Sequence, residues 1–154
     1  MVGSEFRYNI AALDASTGSV TTWAPDADGG VTKILINGGV AYVGGSFTLL
    51  GGQARNNIGA VNTSTGSATA WDPDADELVI TMAISGTTLY VGGEFTTIGG
   101  ASRDGGIAAL SLSTGNATSW NALGPTGGIV ESLVVSGGLL YTGGYFGFIG
   151  GQPR

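Results

Sequence analysis

The sequence predicts an all-β chain of three repeated four-stranded units, on three observations. Landmark residues recur at a fixed interval: Trp23, Trp71 and Trp120 lie 48 and 49 residues apart, and Ser-Thr-Gly triplets end at Gly18, Gly66 and Gly115 with the same spacings. Tyr-x-Gly-Gly begins at Tyr42, Tyr90 and Tyr141, and further glycine pairs fall at Gly51-Gly52, Gly99-Gly100 and Gly150-Gly151. No window of helical length carries a sustained 3.6-residue apolar stripe, whereas short β-branched runs bounded by Gly, Asn and Ser recur in every unit. A period near 50 belongs to kelch-sized blades or to a solenoid, and four short strands per period read as one blade of a β-propeller.

The elements follow in order within the unit. Val31 to Ile36 is β-branched and apolar, and Asn37-Gly38-Gly39 supplies a hairpin turn needing φ > 0. Val40 to Thr48 continues as a second strand whose Gly44-Gly45 pair predicts a bulge or a close backbone approach. A loop from Leu49 to Arg55 leads to a third strand, Asn57 to Asn62, and the Ser64-Thr65-Gly66 turn leads to a fourth, Ser67 to Trp71. Each unit ends in arginine, at Arg55, Arg103 and Arg154, with Arg7 in phase before the first. The repeats are accordingly 8–55, 56–103 and 104–154, and residues 1–6 read as a cloning or tag remnant. The first two units match at about half their positions, so duplication accounts for the pattern.

Composition narrows the function classes. The 154 residues include 30 Gly but no Cys and no His. Without Cys there is no disulfide scaffold, thiolate metal site or Cys nucleophile; without His there is no Ser-His-Asp triad or His-ligated zinc. Five basic residues against eleven acidic ones, a net charge of −6, argue against a nucleic-acid or anionic-membrane partner. The apolar stretch from Gly128 to Val135 is too short to span a bilayer and is interrupted by Glu131 and Ser132. These exclusions predict a non-enzymatic module.

The string Asn9-Ile-Ala-Ala-Leu-Asp-x-Ser-Thr-Gly18, then Trp23-x-Pro25, Tyr42-Val-Gly-Gly-x-Phe-Thr48 and Gly51-Gly52-x-x-Arg55 resembles the delta-sixty type of bacterial β-propeller repeat. The resemblance covers residues 7–154 and implies a repeat in a secreted or surface-attached bacterial protein, with no activity to transfer. A weaker resemblance, to quinoprotein propellers, rests on Ala12, Asp14, Thr17, Gly18 and Trp23. The later repeats replace Asp14 by Asn62 and Ser111, which departs from that family's pattern.

If Val31 to Ile36 is the inner strand, one blade runs from about Gly30 to Pro73 and the next from about Leu78 to Trp120. Two outer strands, Tyr8 to Ala15 and Ser19 to Trp23, are then left at the start. Two inner strands, Ile129 to Ser136 and Leu139 to Phe146, are left at the end. Propellers hold typically 4–8 blades, so two chains exchanging these halves would make six. The expected partner is therefore a second copy of the chain, unless the sequence is part of a longer propeller.

Candidate site residues each carry two readings. Asp26, Asp28, Asp72, Asp74 and Asp76 are candidate ligands for calcium, a hard cation taking 6–8 oxygens, or else Asx-type turn formers. Repeat three has Asn121-Ala-Leu-Gly-Pro125 there, so the turn reading is favoured and no cofactor is expected. Trp23, Trp71 and Trp120 are either sugar-stacking platforms or packing anchors between blades, and packing is favoured because burial removes roughly 150–250 Å² from water. Tyr42, Tyr90 and Tyr141 read as core residues. Arg55, Arg103 and Arg154 read as braces between loops rather than as an anion-gripping ring. Glu94 is matched by Ser46 and Tyr145, which gives no catalytic carboxylate pair. The competing expectation is a carbohydrate-binding or carbohydrate-active propeller, with a glycan or protein ligand on its loop face.

Overall fold

The computed structural model describes residues 6–103, 105–122 and 128–153. The described chain is all-β, and its regular elements repeat with the sequence. The first set of strands contains β1 (Gly30–Asn37), β2 (Val40–Ser46), β3 (Leu49–Leu50), β4 (Gln53–Ala54) and β5 (Ile58–Asn62). The second contains β6 (Val79–Ser85), β7 (Thr88–Gly93), β8 (Thr97–Ile98), β9 (Ala101–Ser102) and β10 (Ile107–Ser111). The third contains β11 (Ile129–Ser136), β12 (Leu139–Tyr145), β13 (Phe148–Ile149) and β14 (Gln152–Pro153).

Two antiparallel three-stranded sheets, β1-β2-β5 and β6-β7-β10, are followed by the two-stranded sheet β11-β12. The β1–β2 hairpin turns on Gly38-Gly39, with Gly38 at φ +61°. The inner strands all bulge at the same place, between Val31 and Lys33, Val79 and Thr81, and Val130 and Ser132. The second glycine of each Tyr-x-Gly-Gly pair faces this bulge: a Cβ on Gly45 would collide with the Gly30 carbonyl. The first glycine has a different task. A Cβ on Gly44 would lie 2.6 Å from Val79 Cγ1, and one on Gly92 would lie 2.6 Å from Val130 Cγ1. Each sheet's glycine therefore admits a valine of the next sheet, and β6 packs across β1 and β2 as β11 packs across β6 and β7. Of the two readings of the glycine pair, the close approach holds at both residues; the bulge lies on the inner strand opposite, not on the glycines' own strand.

The core lies between sheets. Tyr42, Ile58, Ala60 and Trp71 of the first sheet meet Val79, Met82, Leu89, Phe95, Ile98 and Leu110 of the second. A second cluster joins Ile10 and Ala27 to Ala41, Val43, Phe47, Leu50 and Val61.

Three expectations need correction. The segment Ser67 to Trp71 is not a full fourth strand; it touches the sheet through one bridge, Ala68 to Val61, flanked by Asn62 N–H to Ser67 O and Thr69 N–H to Ala60 O. The Ala68 N–H donates instead to Gly51 O, which ends the ladder there. The loop from Leu49 to Arg55 contains the β3–β4 hairpin, whose Gly51 approaches Ala68 too closely for a side chain. The expected strands Tyr8 to Ala15 and Ser19 to Trp23 are likewise reduced to the single bridge Leu13 to Val20. Among the described residues no strand lies beside them.

Candidate functional site

The repeated aromatic residues are placed by these sheets. Trp71 follows the outer segment of the first sheet and is 6% exposed; its indole Nε1–H donates to Ser111 O at the end of β10, at 3.0 Å. Trp23 makes the same bond one repeat earlier, from Nε1 to Asn62 O at 3.0 Å. Each indole thus ties the edge of one unit to the end of the third strand of the next. Tyr42 meets Trp71 edge-on with ring centroids 5.0 Å apart, and Tyr90 meets Trp120 at 5.3 Å. Such perpendicular pairs set a positive ring edge against a negative face. The Tyr42 hydroxyl reaches Leu112 O, directly after β10 of the next sheet, at 3.4 Å, and burial raises its pKa. Tyr141, by contrast, is 56% exposed.

The arginines brace the outer segments. Arg55 Nη2 donates to Thr69 O at 2.6 Å and Arg103 Nη2 to Thr118 O at 2.7 Å; Arg7 Nη2 does the same to Thr21 O at 2.7 Å. Each brace joins the end of one repeat to the outer segment of the following one. Arg55 also pairs with Asp72, Nη1 to Oδ2 at 3.3 Å. Arg154 lies outside the described residues.

The acidic residues do not converge. Asp28 accepts from the Thr48 hydroxyl at 2.6 Å and from the Thr48 and Leu49 amides at 2.8 Å. Asp76 repeats this with the Thr96 hydroxyl at 2.6 Å and the Thr96 and Thr97 amides at 2.9 Å. Both carboxylates fasten the turn leaving the second strand of their sheet. The Thr48 hydroxyl and the two amides hold Asp28 below the usual carboxylate range. Burial works to raise Asp76 but is outweighed by the Thr96 hydroxyl and the Thr97 and Thr96 amides, so its pKa also falls. Asp26 accepts from Tyr8 N–H and Asp74 from Asn56 Nδ2. These two are also left-handed, with φ +41° and +54°, each directly after a proline. Among the described residues no group of three or more carboxylates is placed to hold a metal ion. A polar cleft of about 400 Å³ lies beside Asp74 and Asp76, between Asn56 and Thr97, and both carboxylates there already accept hydrogen bonds. Leu123, Gly124 and Pro125 of the acid-free third turn lie outside the described residues. Glu94 sits alone after β7 with its backbone N–H on Leu78 O.

Sequence reasoning missed two sets of residues. Thr48 and Thr96 complete the carboxylate turns. Asn9 and Asn57, at φ +59° and +61°, each send Nδ2 to an alanine carbonyl in the acidic turn, Ala27 and Ala75 respectively, at 2.8 Å. The available signal was the matched spacing: Asn9 and Asn57 align with Gly106, at φ +64°, and these residue types tolerate a left-handed backbone. Asp14 accepts from Ser16 and Thr17, and the Ser16 hydroxyl first, then the Thr17 amide, lower its pKa to about 2.

No protein-family model, curated protein or solved structure matches the chain. Its function has to be read from this geometry.

Proposed function

We propose that the chain is a non-enzymatic β-propeller repeat module, a structural or binding scaffold in which each sheet is one blade. The observation that carries this reading is the indole-to-carbonyl bond repeated from Trp23 to Asn62 and from Trp71 to Ser111. A contact that recurs with the sequence period and in both cases points to the next sheet is what a radial stack of blades requires. The polar groups that could have formed a site are committed elsewhere: the carboxylates to turn amides and the arginines to backbone carbonyls.

The carbohydrate reading needs exposed tryptophan faces beside convergent acids. Trp71 is buried, and Trp23 and Trp71 both spend their indole N–H within the chain. The scaffold reading also takes over the expected setting, a secreted or surface-attached bacterial protein. A glycan array on the purified chain tests the choice. No binding is expected; binding that Trp71→Ala abolishes without lowering the melting temperature would replace the scaffold by a lectin.

A further inference from the structure

The interface between the first two sheets is complete, and it serves as a template for what the two ends lack. In that interface Leu110 is fully buried and lies in the cluster with Ile58, Trp71, Leu89 and Ile98, 2.8 Å from the Cβ position of Gly99. One repeat later the corresponding walls are Ile107, Trp120, Leu140, Ile149 and Gly150, and they enclose an open cleft of about 210 Å³. A Cβ on Gly150 would meet only Ala122 O, at 3.9 Å. The residue that fills this hole in the template aligns, one repeat unit further on, with Leu13. Leu13 is 53% exposed at the other end of the chain.

The other contacts of the template are missing in the same complementary way. β5 pairs with β2 through Ala60 to Tyr42, and β10 with β7 through Ala109 to Tyr90. Among the described residues Tyr141 of β12 has no third strand beside it, and Ala12, the counterpart of Ala60 and Ala109, has no second strand. Ser111 O accepts both Gly115 N–H and the Trp71 indole, and Asn62 O accepts both Gly66 N–H and the Trp23 indole. Asp14 O accepts Gly18 N–H alone among the described residues, while the Trp120 indole N–H has no acceptor among them. The valine-admitting glycine completes the pattern: the space over Gly143, matching Gly44 and Gly92, is open apart from Ser132 at 3.8 Å.

We propose that a second copy of this chain docks at both ends, with residues 10–14 of each copy forming the third strand beside the other's β12. Leu13 enters the cleft between Trp120 and Leu140 of the partner copy, and the Trp120 indole donates to the partner's Asp14 carbonyl. Tyr141 pairs with the partner's Ala12, and Val31 covers the partner's Gly143. This rests on reading the sheets as blades, because the geometry of the join is that of successive blades. Each copy offers one cleft and one strand, so two copies satisfy every group and close six blades, within the 4–8 that propellers hold; three copies would give nine.

Light scattering on the full chain at tens of micromolar tests the proposal. The expected mass is twice the 15.3 kDa of the chain. Leu13→Asp, which sets a charge into the apolar cleft, should halve that mass while leaving the far-ultraviolet circular dichroism unchanged. If that variant does not fold, Tyr141→Lys makes the same test at the other side of the join. A monomeric wild-type chain, a mass of three or more copies, or a dimer that survives both substitutions would overturn the proposal. The melting temperature of Trp71→Ala separates the two levels. If the wild type is monomeric and this variant melts far lower, the blade reading stands and only the second copy is lost. If this variant melts like the wild type, the blade reading itself has failed.

Discussion

The join between the first and second sheets and the exposed end of the third sheet are built from the same residue types and differ only in company. At the join, Tyr42, Trp71 and Leu110 are all buried, the indole has its carbonyl and Gly44 has its valine. At the end, Tyr141 and Leu139 face solvent, and Trp120, packed against Tyr90, Leu140 and Ile149, has no acceptor for its indole N–H among the described residues. The contrast teaches that a unit of this chain is specified locally by its hairpins but is buried only by its neighbour. That is the behaviour of a repeat architecture, in which stability is a sum of unit and interface contributions.

The largest effect should come from removing the anchor of the complete join. Trp71→Ala deletes a buried ring together with its hydrogen bond and should destabilise by about 3–5 kcal/mol in denaturant titration. Trp120→Ala, measured in the Leu13→Asp background, should cost clearly less, since its indole N–H has no acceptor among the described residues of the single chain. Equal costs at the two positions would break the contrast.

The glycines sharpen the comparison at the next level. Gly44→Ala places a methyl 2.6 Å from Val79 Cγ1 and should cost about 1–3 kcal/mol as overpacking. Gly143→Ala, with open space above it, should leave the stability of the single chain nearly unchanged and weaken only self-association. Thermal melts and light scattering of the two variants give the answer together.

Much of this arrangement was legible in the sequence. The period, the hairpin at Gly38-Gly39, the close backbone approach at Gly45 and the braces from Arg55 and Arg103 follow from residue types that admit few alternatives. The outer segments were less legible. Ser67 to Trp71 has strand-like composition, but the Ala68 N–H goes to Gly51 of a hairpin folded from residues read as loop. Local pattern cannot foresee that competition, because the two partners belong to separate elements. The acidic turns were ambiguous for another reason. Carboxylates at alternating positions suit a cation or a turn equally well until the Thr48 and Thr96 hydroxyls are seen against Asp28 and Asp76.

Those turns give the two smaller predictions. Asp76→Ala removes the acceptor of two amides and a hydroxyl and should cost about 1 kcal/mol, the net value of an ordinary hydrogen-bonded contact. Asp28→Ala removes the same contacts from a more exposed turn and should destabilise in the same direction by less. The pH dependence is smaller still and has a defined direction. The carboxyls of Asp14, Asp28 and Asp76 lie below their ordinary values when folded, so they stabilise the fold above about pH 4. That contribution is lost as the pH falls toward the Asp14 value of about 2. The melting temperature should be flat from neutral pH to about 5 and decline below 4; a decline beginning near pH 6 would require a different titrating group.

The indole N–H groups report on the central claim most directly, because the sheet facing Trp23 and the sheet facing Trp71 each have a third strand to offer a carbonyl, and the sheet facing Trp120 has none among the described residues. Hydrogen exchange of the three indoles, followed by nuclear magnetic resonance in the wild-type chain and in Leu13→Asp, compares them in one sample. All three should be protected in the wild type, and in the variant Trp120 alone should lose its protection while Trp23 and Trp71 keep theirs. A Trp71 indole that exchanges as fast as a free one in the wild type would contradict the account.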